Sequence, residues 1–202
     1  MVWVKICGLT DLDTALFVAG AGADAVGFVF AASVRQVSPD LARSISRALP
    51  SFIMKIGVFV NAPLSEVQNT ARYCQLDAVQ LHGTESPEYC RSVGWKTIKA
   101  FSVGGGLSLK MISDFSVDAV LLDTYVPDRA GGTGETFDWE TAKELGCARP
   151  LILAGGLTPA NVAGAIRAVQ PYGVDVSSGV ETDGKKDREK IRQFIKMAKE
   201  VV

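Results

Sequence analysis

Leu151-Ile152-Leu153-Ala154 is an apolar run of strand length, closed by Gly155-Gly156-Leu157 and followed by Thr158-Pro159. The run suits a strand buried on both faces and the glycines a tight turn. A hydroxyl followed by proline marks a helix start, because proline has no N–H to lose at the first helical position. A helical period over Ala160–Val169 comes next, and Gly173–Ser177 is again strand-like before a second glycine-bearing turn, Ser178-Gly179-Val180. Strand, turn, helix and strand in this order make one βα unit, whose repetition builds a parallel sheet.

The same alternation extends back to the first residues. Strands are expected near Val2–Cys7, Ala25–Phe30, Met54–Val60, Ala78–His82, Thr97–Ser102, Ala119–Asp123, Leu151–Ala154 and Gly173–Ser177. Helices fit at about Leu12–Ala19, Pro39–Leu49, Leu64–Cys74, Pro87–Val93, Ser108–Asp114, Trp139–Leu145, Ala160–Val169 and Asp187–Val201, and Ser38-Pro39 and Ser86-Pro87 repeat the hydroxyl–proline start. Such a sheet is either open and doubly wound or closed, and a count of eight favours closure into a (β/α)8 TIM barrel. Roughly 5 residues remain for each connection, so the chain reads as one barrel domain over residues 1–202 without an insertion. There is no evident short internal repeat. The longest connection, Thr124 to Phe137, is rich in glycine and carries charges; loops of that length in compact folds are commonly functional, and this one is expected to fold over a bound ligand.

The chain has 202 residues, enough for one core to bury roughly 70% of the unfolded surface without metal or disulfide staples. With 21 basic and 22 acidic residues the net charge is −1, which argues against nucleic acid or an anionic membrane as the main partner. Apolar stretches such as Ala25–Ala32 fall far below the roughly 20 residues that span a bilayer. The N-terminus enters a strand-like pattern without the regions of a signal peptide. Cys7, Cys74, Cys90 and Cys147 are widely spread with no CxxC pair, so thiols are the default. A cytoplasmic monomer is the expectation.

In such barrels the chemistry lies at the C-terminal ends of the strands. Alternation puts Lys5 and Cys7 on one face and Val4 and Ile6 on the other; the apolar pair suits the helix side, which points Cys7 into the mouth. Its plainer alternative is a small buried hydrophobe, the reading given to the other three cysteines. Asp123 ends strand six at the rim, facing inward with Leu121; it either caps the next loop or serves as an acid. A thiol and a carboxyl across the mouth could remove and supply a proton on opposite sides of one small substrate. The turns at Gly155-Gly156 and Ser178-Gly179 follow strands seven and eight, the usual phosphate site of this fold, where glycine lets backbone N–H groups approach an anion. Arg35 follows strand two and is either a bidentate carboxylate ligand or a solvated charge. Gln80 shares a face with His82, the only histidine, which is either a hydrogen-bonded strand-end group or a catalyst. Lys5 and Asp175 are expected to form an interior ion pair, with some influence on the Cys7 thiol.

These residues resemble one family, the phosphoribosylanthranilate isomerases of tryptophan biosynthesis. The matching stretches are Val4-Lys5-Ile6-Cys7-Gly8-Leu9-Thr10, Gly27-Phe28-Val29-Phe30 with Ser33-Val34-Arg35, Gly57-Val58-Phe59-Val60, Gln80-Leu81-His82-Gly83 and Leu122-Asp123-Thr124. Gly131-Gly132-Thr133-Gly134 with Phe137-Asp138-Trp139, Leu153-Ala154-Gly155-Gly156-Leu157 and Asp175-Val176-Ser177-Ser178-Gly179-Val180-Glu181 complete them in order over nearly the whole chain. The resemblance implies a rearrangement of a phosphoribosyl aromatic amine from aldosylamine to ketosamine. It assigns Asp123 to protonating the furanose ring oxygen, Cys7 to removing the proton from C2, Arg35 to the anthranilate carboxylate and the two glycine-bearing loops to the phosphate. It implies no cofactor or metal, since the protonated imine formed on ring opening is itself an electron sink. A thiol, with an ordinary pKa near 8.5, then needs only modest electropositive help to act as a base. One departure is the short, plain Ala31-Ala32 ahead of Ser33-Val34-Arg35.

Three other readings compete. A histidine-pathway aminoaldose isomerase, or an enzyme serving both pathways, is disfavoured because the resemblance suggests that those use a carboxylate where Cys7 stands. A non-catalytic barrel that binds phospho-ligands needs neither Cys7 nor Asp123.

Overall fold

The computed structural model describes residues 1–103, 107–123 and 149–201. Its strands are β1 (Trp3–Cys7), β2 (Ala25–Val29), β3 (Met54–Phe59), β4 (Ala78–Leu81), β5 (Lys96–Ser102), β6 (Ala119–Asp123), β7 (Leu151–Ala154) and β8 (Gly173–Val176). Each pairs in parallel with the next, and β8 returns to β1, closing the barrel. The described helices are α1 (Leu12–Gly20), α2 (Pro39–Ala48), α3 (Leu64–Tyr73), α4 (Pro87–Ser92), α5 (Leu109–Ser113), α6 (Val162–Val169) and α7 (Arg188–Lys199). The helix expected at Trp139–Leu145, Cys147 and the Thr124 to Phe137 connection lie outside the described residues.

Local chemistry accounts for several starts. Ser38 and Ser86 accept from the N–H groups of Leu41 and Tyr89, each at 3.2 Å, with proline next in line. Thr158-Pro159 does not follow them. Pro159 sits in a turn in which Asn161 Oδ1 accepts from the Thr158 N–H at 2.7 Å, and the helix begins only at Val162.

The side chains sort by period two into two cores. Val4, Ile6, Val26, Phe28, Val120 and Leu122 face the helices. Ala25, Ile56, Ala78, Ile98, Ala100, Ala119, Leu121, Ile152 and Ala154 fill the barrel interior, small residues offsetting large ones. Three aspartates secure the N-terminal ends of the strands: Asp24, Asp77 and Asp118 accept from the N–H groups of Val4, Lys55 and Thr97 at 2.7, 2.8 and 2.8 Å. Each opens an Asp-Ala-Val triplet leading into β2, β4 or β6, a short recurrence the sequence reading overlooked. The opposite, C-terminal ends are thus left to hold polar groups.

Candidate active site

Cys7 ends β1, points inward and is 7% exposed. Its neighbour in register on β2 is Gly27, where an added Cβ meets Cys7 Sγ at 2.7 Å and Lys5 Cε at 3.1 Å. Glycine there makes room for both side chains. Below the thiol, Lys5 Nζ donates to Asp175 Oδ2 at 2.8 Å across the β1–β8 register, the interior pair expected from alternation. Burial alone pushes the Lys5 ammonium down in pKa, but the Asp175 carboxylate and Cys7 reverse this and hold it above its ordinary value. For Cys7 the balance goes the other way. Burial pushes the thiol up, Lys5 pulls it down, Asp175 pushes it up again and Lys186 pulls it down, and the net shift is upward. The electropositive help expected from sequence is present, and desolvation exceeds it.

Asp123 ends β6, with two strands between it and β1 one way round the barrel and four the other, so carboxyl and thiol flank the mouth from separate sides. Its Oδ2 lies 3.2 Å from His82 Nε2, and His82 Nδ1 lies 3.0 Å from Gln80 Nε2. An amide nitrogen only donates, so Nδ1 accepts, and the ring proton resides on Nε2 facing the carboxylate. The shared face of Gln80 and His82 is therefore the start of a chain ending on Asp123. That link joins residues 41 positions apart and was not visible in the sequence.

The loop carrying His82 is fixed by a second buried pair that sequence reasoning missed. Lys99, 2% exposed, donates from Nζ to Glu85 Oε2 at 2.9 Å and to the carbonyls of Gly83, Ala100 and Leu81 at 2.7, 3.2 and 3.3 Å. Glu85 accepts from the N–H groups of Asn61 and Gly83. A lysine inside the apolar strand Thr97-Ile98-Lys99-Ala100 was the available signal, since a buried ammonium demands a partner.

Arg35 is not a solvated charge. Nε and Nη2 donate to the two oxygens of Glu181 at 2.7 and 2.6 Å, and Ser33 Oγ accepts from the Arg35 N–H at 2.9 Å. The Arg35 stem lies over the end of β1, where a Cβ on Gly8 meets Arg35 Cδ at 2.6 Å; Gly8 also has φ +76°, so two constraints select glycine there. The turns after β7 and β8 pack backbone on backbone: a Cβ on Gly179 falls 1.8 Å from the Leu157 carbonyl oxygen. Gly155 and Gly156 have φ of +83° and +65°, and Ser178–Val180 is a single 3-10 turn. The two loops thus form one continuous surface at the mouth.

Of the remaining cysteines, Cys74 and Cys90 are buried, and burial pushes Cys74 up to about 11, in keeping with packing roles. No helix among the described residues is long and apolar enough to cross a membrane.

A thiol and a carboxyl facing one mouth, beside a glycine-lined double loop, define a class: (β/α)8 barrels equipped to shift protons on a small anionic substrate. Comparison narrows it. Residues 4–197 match the family model described as N-(5'-phosphoribosyl)anthranilate (PRA) isomerase. A curated N-(5'-phosphoribosyl)anthranilate isomerase of Desulforudis audaxviator is 54% identical over 204 residues, covering 100% of both chains. The crystal structure of phosphoribosyl anthranilate isomerase from Thermotoga maritima superposes with a TM-score of 0.86 at 47% identity, covering 98% of this chain and 99% of that one. A phosphoribosyl anthranilate isomerase in complex with reduced 1-(o-carboxyphenylamino)-1-deoxyribulose 5-phosphate superposes at 0.83 with 44% identity, over 98% and 99%. The chain belongs to the N-(5'-phosphoribosyl)anthranilate isomerase family.

Proposed function

We infer that the chain performs the reaction of its family in tryptophan biosynthesis, the Amadori rearrangement of N-(5-phosphoribosyl)anthranilate to 1-(2-carboxyphenylamino)-1-deoxyribulose 5-phosphate, with Cys7 and Asp123 as its proton carriers. The observation that carries the assignment is the placement of an inward thiol and an inward carboxyl at the C-terminal ends of β1 and β6.

Asp123 gives a proton to the furanose ring oxygen as the C1–O bond breaks, and the amine lone pair forms a protonated imine at C1. Cys7, as thiolate, takes the proton from C2, and the electron pair released neutralises the imine to an enolamine. Loss of the C2 hydroxyl proton and protonation of C1 complete the ketosamine. Substrate and product are isomers and the imine is the electron sink, so the sequence of steps calls for no organic cofactor or metal. The upward shift of the Cys7 thiol fits this order of events. The cationic imine forms next to the proton to be removed and lowers the cost of a thiolate at that moment, while a high intrinsic pKa makes that thiolate a strong base.

Gln80 and His82 line the β4 side of the mouth, the second holding Asp123 in place. Arg35 takes the carboxylate of the aromatic ring. The loops at Gly155-Gly156 and Ser178-Gly179 take the phosphate, where backbone N–H groups serve an anion without a formal charge.

Turnover of phosphoribosylanthranilate generated in situ, followed by loss of anthranilate fluorescence, tests the reading with the histidine-pathway aminoaldose run in parallel. Turnover of the first alone is expected. Turnover of both makes the chain a dual-pathway enzyme, and turnover of neither by folded protein overturns the reading.

A further inference from the structure

Glu181 has no role in the reaction as written, yet it is among the most constrained side chains at the mouth. It follows the 3-10 turn after β8 and opens a two-stranded hairpin, β9 (Glu181–Thr182) and β10 (Lys185–Lys186), whose register sets Lys186 directly opposite Glu181. Asp183 and Gly184, with φ of +50° and +74°, make the turn between them. The Glu181 side chain is 6% exposed, against 28% for Arg35. Burial pushes its carboxyl up, but Arg35 and Lys186 outweigh burial and hold it below the usual carboxylate range. It is a buried carboxylate shared by two cations: Lys186 Nζ donates to Oε1 at 2.7 Å and also to the Ser177 carbonyl at 2.9 Å, and Ser177 Oγ donates to the Cys7 carbonyl at 3.2 Å.

The way Glu181 grips Arg35 matters more than the fact of a pair. A guanidinium has five N–H donors in a rigid plane. Glu181 occupies the Nε and Nη2 side of the fork. Among the described residues no hydrogen bond is made from Nη1, so the outer Nη1–Nη2 edge keeps donors that Glu181 does not use. The arginine stem rests against Gly8, one residue beyond Cys7. We propose that Glu181 is a positioning residue for carboxylate recognition: it holds Arg35 by one edge of the guanidinium so that the other edge receives the carboxylate of the substrate's aromatic ring bidentately. The inference rests on Arg35 being the carboxylate ligand. Glu181 also keeps Arg35 and Lys186 beside each other without mutual repulsion, which lets two cations stand near the thiol and the incoming anion.

Steady-state kinetics on Glu181→Gln, Arg35→Ala and the double variant test this, with thermal melting as the check on folding. Glu181→Gln is expected to raise KM for phosphoribosylanthranilate by about tenfold with kcat within about threefold of wild type, since the lost interaction orients the ligand rather than moving a proton. Arg35→Ala should raise KM at least as far, and the double variant no further than Arg35→Ala alone, because Glu181 acts through Arg35. Glu181→Asp keeps the charge for Lys186 but is one methylene too short to hold both guanidinium nitrogens, and should show a smaller KM rise; it replaces Glu181→Gln in the cycle if that variant does not fold. An unchanged KM in the folded Glu181 variants, with Arg35→Ala impaired, overturns the positioning role alone. So do KM effects that multiply in the double variant, the behaviour of a residue that only supports the fold. An unchanged KM in Arg35→Ala removes the carboxylate ligand itself, and the positioning role with it.

Discussion

Lys5 and Lys99 are buried on opposite faces of the sheet, and they are wired differently. Lys99 lies on the outer side of β5, its ammonium shared by the Glu85 carboxylate and three backbone carbonyls, while Glu85 in turn accepts from two backbone N–H groups. Lys5 lies inside the barrel and donates to Asp175 Oδ2, while Asp175 Oδ1 has no hydrogen-bond partner among the described residues. A charge whose surroundings are complete locks geometry. A charge pair left incomplete leaves part of its field for a neighbour, and for Lys5 that neighbour is the Cys7 thiol. One cluster builds the scaffold of the β4 loop; the other tunes the site.

The sharpest way to break the contrast is at the two proposed proton carriers. Cys7→Ala and Asp123→Asn should each lower kcat by roughly 10² to 10⁴ while leaving KM within a small factor, as expected when a proton carrier is lost. Near-normal turnover in either variant removes that residue from the reaction, and the inner cluster then has no chemistry to tune.

Replacing each lysine by methionine, which keeps most of the stem, compares the clusters directly. Lys99→Met strands Glu85 among groups that expect an anion, and breaking a buried pair this way costs about 3 to 5 kcal/mol of stability, read from urea denaturation. Turnover per folded molecule should fall only modestly. Lys5→Met should also destabilise, but in addition it removes the cation that most lowers the thiol, so the rise of kcat/KM with pH should move to higher pH. If Lys99→Met moves that limb equally, the division between scaffold and site collapses.

The eight strands were legible because each is a local apolar run, and alternation along β1 was enough to place Cys7 inward and Val4 and Ile6 outward. The expected strands overrun by a residue at Phe30, Val60, His82 and Ser177, where the chain turns off the sheet onto the rim. Proximity around the mouth was far less legible. Arg35 and Glu181 are 146 positions apart, and no spacing rule connects them. Two local signals were nonetheless present: Asp183-Gly184 is a strong hairpin dipeptide, and the Asp-Ala-Val triplets mark alternate strands. The direction of the Cys7 shift was beyond sequence altogether, because it depends on how burial compares with the cations, and burial is a property of the closed barrel.

The smallest effect distinguishes the clusters by acid. Glu85 is pushed up by burial, but the Asn61 N–H, Lys99 and its own backbone N–H outweigh this, so its folded-state pKa lies below the ordinary 4.5. A carboxyl depressed on folding contributes stability that is fully present above its unfolded pKa and is lost as pH falls through the folded one, at about 1.4 kcal/mol per unit of separation. Urea midpoints measured from pH 6 to pH 3 should therefore fall for the wild type, with Glu181 and Asp187, both also depressed, contributing to the slope. Glu85→Gln should start less stable and fall less steeply over the same range, the difference between the two curves isolating Glu85. Parallel curves would mean that Glu85 does not bind its partners as an anion, and the outer cluster would then be no more complete than the inner one.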